Sequence, residues 1–158
     1  SGANAVLCPG TEGNLGDGIF RLSEFAKEGG HWSIGTDSHI SLNPLEDLRW
    51  LDYAQRFTTH KRNTFDDGAQ VLISKTIHSG RKAMGIEQNK FFEIGKPFDA
   101  VVYNSKSPLL MQSDLKNTLP AILYTCDTSD ILGTLVNGKW IVKDQKHIEG
   151  EQIRKRFK

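Results

Sequence analysis

The sequence lacks the features that mark several specialised classes of protein. Its 158 residues contain two cysteines, Cys8 and Cys126, which are too few and too far apart to suggest a disulfide framework. No apolar run approaches the roughly 18 residues that a membrane-spanning helix requires. Residues 1–10 have no basic region followed by a long apolar one, so we expect no signal peptide there.

Charge of either sign is not in excess. The 20 Lys and Arg residues against 19 Asp and Glu residues give a net charge of +1, which offers no electrostatic reason to expect nucleic acid or an anionic membrane as a partner. With 37% hydrophobic and 25% charged residues, we expect a globular, cytoplasmic chain. The absence of an initiator Met, with a strand predicted almost at once, suggests a sequence joined in the middle.

The first half alternates strand and helix signals, which predicts an α/β architecture with parallel strands. Pro9-Gly10 stops the first apolar run, and Gly29-Gly30 ends the first helix. In order, the predicted elements are a strand at residues 5–8, a Gly-rich loop at 11–18, a helix at 19–28, a strand at 31–35, a capped helix from about residue 44 and a helix at 66–79.

The best-marked helix begins after Ser41 or Asn43, either of which can cap it, and Pro44 suits its first turn. Apolar residues then fall at i, i+3, i+4 and i+7, which is the apolar stripe of an amphipathic helix. This stripe consists of Trp50, Tyr53, Ala54 and Phe57.

The second half has the character of a small β layer. Asn137-Gly138 lies between two apolar segments and predicts a tight hairpin. We place a domain boundary near residues 85–95, which divides the chain into residues 1–85 and 86–158. The predicted elements are strands at 99–103, 131–136 and 139–143, a turn at 144–145 and a basic helix in the tail at 149–158.

Functional groups in parallel α/β architectures follow the carboxyl ends of the strands. Asp37 stands at such a position, directly after the strand at residues 31–35. Its carboxylate could ligate a divalent metal or transfer a proton, and the alternative is a structural Asx-turn or helix cap. Ser38 and His39 beside it could assist on the substrate side or could be solvated loop residues.

The predicted loop at residues 11–18 is the second candidate. Glu12, Asn14 and Asp17 could contact a substrate or a neighbouring loop, whereas the glycines between them are typical of tight turns. The loop lacks the Gly-Lys-Ser/Thr pattern of a phosphate-binding loop. The other four histidines have no metal-ligand spacing, and both cysteines read as packing residues.

Three stretches resemble one enzyme family. Residues 1–20 (SGANAVLCPGTEGNLGDGIF), 31–39 (HWSIGTDSH) and 41–57 (SLNPLEDLRWLDYAQRF) are similar to the C-terminal part of the formimidoylglutamate deiminases. That family belongs to the amidohydrolase superfamily and hydrolyses N-formimidoyl-L-glutamate during histidine breakdown. Residues 79–85, 95–102 and 135–143 resemble features found across the superfamily.

The resemblance implies a fold and a role for Asp37. The family fold is a metal-dependent (β/α)₈ barrel with an appended β-sandwich. On that template residues 1–85 hold the last two barrel strands with their helices, and residues 86–158 form a sandwich segment with a closing hairpin and a basic tail. Asp37 matches the aspartate after the eighth strand, which ligates the catalytic metal and shuttles a proton from its water. The expected metal is zinc, with iron as the alternative.

The resemblance also implies that most of the catalytic site is missing from this chain. In the family, the histidine ligands and a catalytic glutamate come from the first six strands, to which nothing here corresponds. One carboxylate does not hold a catalytic zinc or iron ion. We therefore expect the isolated chain to be inactive and to bind no metal stably.

Three functional hypotheses follow. The first is a fragment of a formimidoylglutamate deiminase, with a small-molecule substrate. The second is a fragment of another superfamily aminohydrolase, of the purine- or triazine-deaminase kind. The third is a non-catalytic module. Two barrel strands without neighbours would expose unpaired backbone and apolar surface, so we expect homo-oligomers or self-association through strand edges.

Overall fold

The computed structural model describes residues 2–86 and 90–157, and the chain divides into two compact units. The first unit contains residues 2–86 and 113–125, and the second contains residues 90–112 and 126–157. Within the described ranges, no helix is both long and apolar enough to span a membrane. The elements are β1 (Asn4–Leu7), α1 (Pro9–Leu15), α2 (Leu22–Lys27), β2 (His31–Ile34), α3 (Pro44–Thr59), α4 (Gly68–Ala83), β3 (Ala100–Tyr103), α5 (Thr118–Thr125), β4 (Ile131–Val136), β5 (Lys139–Lys143), β6 (Lys146–His147) and α6 (Gly150–Arg156).

In the first unit, β1 and β2 pair in parallel, with Asn4 opposite His31 and Leu7 opposite Ile34. The Gly35 N–H donates to the Leu7 carbonyl at 2.9 Å and extends the pairing past the end of β2. The parallel arrangement predicted from the sequence is therefore confirmed. Both strands end at the same edge, so the residues that follow them lie near each other.

The loop predicted at residues 11–18 is wrong in its first part, because helix α1 runs from Pro9 to Leu15. Proline suits a first helical position, and the Glu12 carboxylate accepts a hydrogen bond from the Cys8 N–H at 2.7 Å at the start of the helix. Gly16 ends it with a left-handed φ of 75°. The glycines counted as loop signals therefore include a helix cap.

Helix α3 begins as predicted but buries a different face. The Asn43 side chain accepts a hydrogen bond from the Leu45 N–H at 3.1 Å, and Pro44 follows the cap. The predicted apolar stripe is not the buried face, since Trp50 and Phe57 are 53% and 74% exposed. The buried residues of the helix are Leu45, Asp47, Leu48, Leu51, Asp52 and Gln55.

A polar network on the buried face of α3 fixes helix α5, which the sequence did not predict. The Asp52 carboxylate accepts hydrogen bonds from the Tyr124 hydroxyl at 2.9 Å and the Thr64 hydroxyl at 2.6 Å. Arg56 pairs with the same carboxylate at 2.6 Å, and its guanidinium lies over the rings of Tyr53 and Tyr124. Residues 113–125 therefore pack with the first unit, although their sequence neighbours on both sides belong to the second.

The second unit is built on an antiparallel sheet with strand order β3-β4-β5-β6. The predicted hairpin is confirmed: Asn137 and Gly138 both have positive φ, at 49° and 73°, as a tight two-residue turn requires. The turn at Asp144 and Gln145 is confirmed as well, and it leads into the short strand β6, which was not predicted. The naming of residues 1–85 as a barrel segment and 86–158 as a sandwich segment stays a prediction.

Candidate active site at the strand ends

Asp37 lies in a turn directly after β2. The His39 N–H donates to the Thr36 carbonyl at 2.9 Å and closes the turn, and Asp37 and His39 have left-handed φ values of 43° and 56°. Asp37, Ser38 and His39 are all exposed. The sequence therefore located these three side chains at the carboxyl edge of the parallel pair, where a ligand can reach them.

The Asp37 carboxylate does not stabilise this turn through hydrogen bonds with the described residues. Among residues 2–86 and 90–157, no N–H or O–H group donates a hydrogen bond to it. An Asx-turn would use the His39 N–H, which instead bonds to Thr36, and the helix cap is provided by Asn43. Neither the Asx-turn nor the helix cap is therefore seen for Asp37 among the described residues, and its catalytic role stays a prediction.

Thr11 holds this turn on the side of α1, a role that the sequence did not reveal. Its side chain is buried at 3% exposure, and its hydroxyl donates to the Thr36 carbonyl at 3.2 Å. The same hydroxyl oxygen accepts from the Ser38 N–H at 3.3 Å. Thr11 thus contacts the backbone on both sides of Asp37 and fixes where that residue stands relative to β1.

The residues proposed near the substrate have different surroundings. The Glu12 carboxylate is half-buried and bonded to the Cys8 N–H, so it stabilises the start of α1. Asn14 and Asp17 are exposed, Asn14 on α1 and Asp17 just after it. The structure therefore gives Glu12 a structural contact and leaves Asn14 open to solvent.

Two further ionisable groups lie close to the strand ends. Burial raises the pKa of the Cys8 thiol, and the charges of Asp37 and Glu12 raise it further. Burial also raises the pKa of Asp47, which is 3% exposed, while a hydrogen bond from the Gly10 N–H to its Oδ1 at 3.3 Å acts in the opposite direction. A thiol held neutral in this way is a poor nucleophile, which agrees with Cys8 as a packing residue.

The donor set does not form a metal site by itself. Asp37 offers carboxylate oxygens, which suit a divalent cation. In the part of the chain that the structure describes, no group of three or more His, Cys, Asp or Glu side chains is arranged to hold a metal ion. A catalytic zinc site takes three protein ligands, so the residues present do not fit a complete site.

No family model matches the sequence. Among curated proteins, the chain is 35% identical to formimidoylglutamate deiminase from Pseudomonas aeruginosa over 162 aligned residues, which cover 99% of this chain and 36% of that protein. It is 32% identical to 5'-deoxyadenosine deaminase from Methanosarcina barkeri, over 84% of this chain and 30% of that protein. The chain thus spans about a third of the length of these relatives.

Solved structures give the same fold. An amidohydrolase from Brucella melitensis matches with a TM-score of 0.84 and 29% identity, over 99% of this chain and 35% of its own. An adenosine deaminase from Xanthomonas campestris with bound zinc matches with a TM-score of 0.78 and 18% identity, over 98% and 37% of the two chains. These structures are amidohydrolase (β/α)₈ barrel proteins, which confirms the expected fold class. The chain is therefore a relative of formimidoylglutamate deiminase with the fold of the amidohydrolase superfamily, and it corresponds to about a third of such a protein.

Proposed function

We propose that this chain is the part of a metal-dependent deaminase that contributes Asp37 to the catalytic centre. The observation that carries the proposal is the state of Asp37: an exposed carboxylate after a parallel strand, in a turn held by Thr11, with no hydrogen bond from the described residues. A carboxylate in that position can bind a cation and accept or return a proton. The zinc in the Xanthomonas campestris relative supports zinc as the metal, and iron stays a prediction.

The reaction that we propose for the complete protein is the hydrolysis of N-formimidoyl-L-glutamate to N-formyl-L-glutamate and ammonia. Its support is the 35% identity to formimidoylglutamate deiminase across nearly the whole chain. In this reaction, Asp37 accepts a proton from the attacking water and returns it to the departing nitrogen, since its carboxylate is the exposed acid–base group at the strand ends. A divalent metal, when bound in the complete protein, would activate that water.

The substrate is tested by exchanging this chain for the matching segment of the Pseudomonas aeruginosa enzyme. We expect the chimera to release ammonia from N-formimidoyl-L-glutamate, and Asp37→Asn to lower kcat by about 10²–10⁴-fold, the usual range for loss of an acid–base group. Asp66→Asn is the matched control, because it makes the same substitution at an exposed aspartate outside the Asp37 turn and should keep most activity. Full activity of Asp37→Asn would refute the proposed role.

A second candidate is a deaminase that acts on a purine nucleoside. The observation in its favour is the 32% identity to 5'-deoxyadenosine deaminase. The same chimera discriminates between the two, because release of ammonia from 5'-deoxyadenosine but not from N-formimidoyl-L-glutamate would support the nucleoside. The parent Pseudomonas aeruginosa enzyme, assayed with both substrates, is the control for the specificity that its own remaining two thirds supply.

For the isolated chain we propose inactivity and self-association. Asp37 alone cannot hold the metal, and the parallel pair β1–β2 has two open edges among the described residues. Exposed apolar side chains on the first unit, including Leu42, Trp50 and Phe57, add to the tendency. Sedimentation of the purified chain should show oligomers. A clean monomer, or zinc-dependent ammonia release by the chain alone, would contradict these expectations.

A further inference from the structure

A cleft of about 420 Å³ lies at the other end of β2 from the Asp37 turn. It is lined by residues of α2, the start of β2, the segment before α4 and α4 itself, all in the first unit. Its volume falls within the range of small-molecule sites. The four residues of β2, at about 3.3 Å each, separate it from the Asp37 turn by roughly 13 Å, so it is distinct from the proposed catalytic centre.

The rim of this cleft carries cationic groups from two helices. Lys27 lies on α2 and Lys75 on α4, and His31 stands between them at the first position of β2. None of the described residues that line the cleft is an Asp or a Glu. Neither lysine forms an ion pair with any residue in the described ranges. Two unneutralised ammonium groups beside one cavity create a positive potential that attracts anions.

One wall of the cleft is apolar. Trp32 is 1% exposed, and its ring stacks on that of Phe65 with centroids 6.3 Å apart and planes 7° from parallel. Val71 and Ala26 complete the apolar lining, and Ser23 adds a hydroxyl group. An apolar cavity with a few polar groups at one side is the usual form of a site for a small organic ligand.

We propose that this cleft binds a small organic anion. Its carboxylate or phosphate group contacts Lys27 and Lys75, which bind either group as point charges. Its apolar part lies against the half-buried Phe65 and Val71, and the buried Trp32 supports the Phe65 ring from behind. The ligand class follows from the two lysines, the lack of Asp or Glu among the described lining residues, and the apolar wall at Phe65 and Val71. A neutral ligand would form no ion pair with the two ammonium groups, and a bare inorganic ion would bury none of the apolar lining.

The test is lysine footprinting of the 158-residue chain, in which acetylation of each lysine is measured by mass spectrometry. Phenyl phosphate and benzoate serve as probes, and the arm that binds more tightly identifies phosphate or carboxylate as the preferred group. We expect the probe to protect Lys27 and Lys75 and to leave Lys82 unprotected. Because each lysine is followed separately, the readout also holds for a self-associated chain.

Substitutions give the quantitative test. Lys75→Gln, read at Lys27, and Lys27→Gln, read at Lys75, should each weaken the binding of the preferred probe about threefold. Lys82→Gln is the matched control, because it removes the same charge from the same helix without lining the cleft, and it should change binding by less than about 1.5-fold. An equal effect of Lys82→Gln would mean general charge attraction and would overturn the proposal.

Three other outcomes also decide the matter. Benzyl alcohol binding as tightly as benzoate would show that the anion is not recognised. Inorganic phosphate binding as tightly as phenyl phosphate would show that the apolar wall takes no part. Absence of protection by either probe at millimolar concentration would show that the cleft is not an anion site. Each of these results overturns the proposal.

Discussion

Replacement of Asp52 by asparagine should strongly destabilise the first unit. The carboxylate is 1% exposed and is shared by three groups: the Tyr124 hydroxyl, the Thr64 hydroxyl and the Arg56 guanidinium, at 2.9, 2.6 and 2.6 Å. The Tyr124 hydroxyl belongs to α5, the Thr64 hydroxyl to the segment before α4, and the Arg56 guanidinium to α3. Asparagine keeps the shape of the side chain but removes the charge, and its nitrogen cannot accept a hydrogen bond.

The size of the effect follows from what the substitution leaves behind. Removing one partner of a buried ion pair costs about 3–5 kcal/mol, because the other charge stays desolvated. The Arg56 side chain is 27% exposed and can regain part of its hydration. We therefore expect a loss near the lower end, about 3 kcal/mol in the free energy of unfolding. Glu24→Gln is the matched control, since its ion pair with Arg21 is exposed and should contribute less than about 0.5 kcal/mol.

The assay is urea unfolding followed by tryptophan fluorescence in a Trp140→Phe background. In that background the remaining tryptophans, Trp32 and Trp50, both belong to the first unit. Trp32 is buried, so its emission should shift when the first unit unfolds. A loss below about 1 kcal/mol for Asp52→Asn, or a loss equal to that of Glu24→Gln, would refute the view that Asp52 organises this unit.

Three further predictions concern other sites. Burial, together with the hydrogen bond to Asp52, raises the pKa of Tyr124 to about 12, above the unfolded value near 10. The stability that Tyr124 contributes is therefore present below pH 10 and lost between about pH 10 and 12. Urea unfolding of Tyr124→Phe should lack this decline. Thr11→Val should speed hydrogen exchange of the Ser38 amide about fivefold by NMR, and an unchanged rate would contradict the role of Thr11. Gly133→Ala should lower the free energy of unfolding of the second unit by about 1–3 kcal/mol, measured by Trp140 fluorescence. A Cβ there would clash with the Val142 carbonyl and the Trp140 ring. A neutral effect would show that β5 moves to accommodate it.

Local chemistry explains the features that could be predicted from the sequence. The hairpin at Asn137-Gly138 and the cap at Asn43 depend on residues within a few positions of one another. The position of Asp37 could be predicted for a similar reason, since a short apolar strand ends immediately before it. The contacts that hold the Asp37 turn could not be predicted in this way, because Thr11 bonds to the backbone of residues 25 and 27 positions later in the chain.

Long-range contacts explain the main failure. On α3, simple periodicity favoured Trp50, Tyr53, Ala54 and Phe57 as the apolar face. The buried face instead combines leucines with polar residues, among them Asp52 and Gln55. Asp52 is buried because Tyr124, 72 positions later, bonds to it, and the Gln55 amide donates to the Phe20 carbonyl at 2.7 Å across 35 positions. Hydrophobicity along one helix carries no information about such partners.

The placement of α5 has a consequence for dissecting the chain. Because residues 113–125 pack with the first unit while residues 90–112 and 126–157 form the second, no single cut separates two complete folding units. Expression of residues 1–89 alone would remove Tyr124 and leave the Asp52 carboxylate without one of its hydrogen-bond donors. An independently stable first unit would need α5 joined to residues 1–89 through a new linker. Simple truncation of the chain does not provide it.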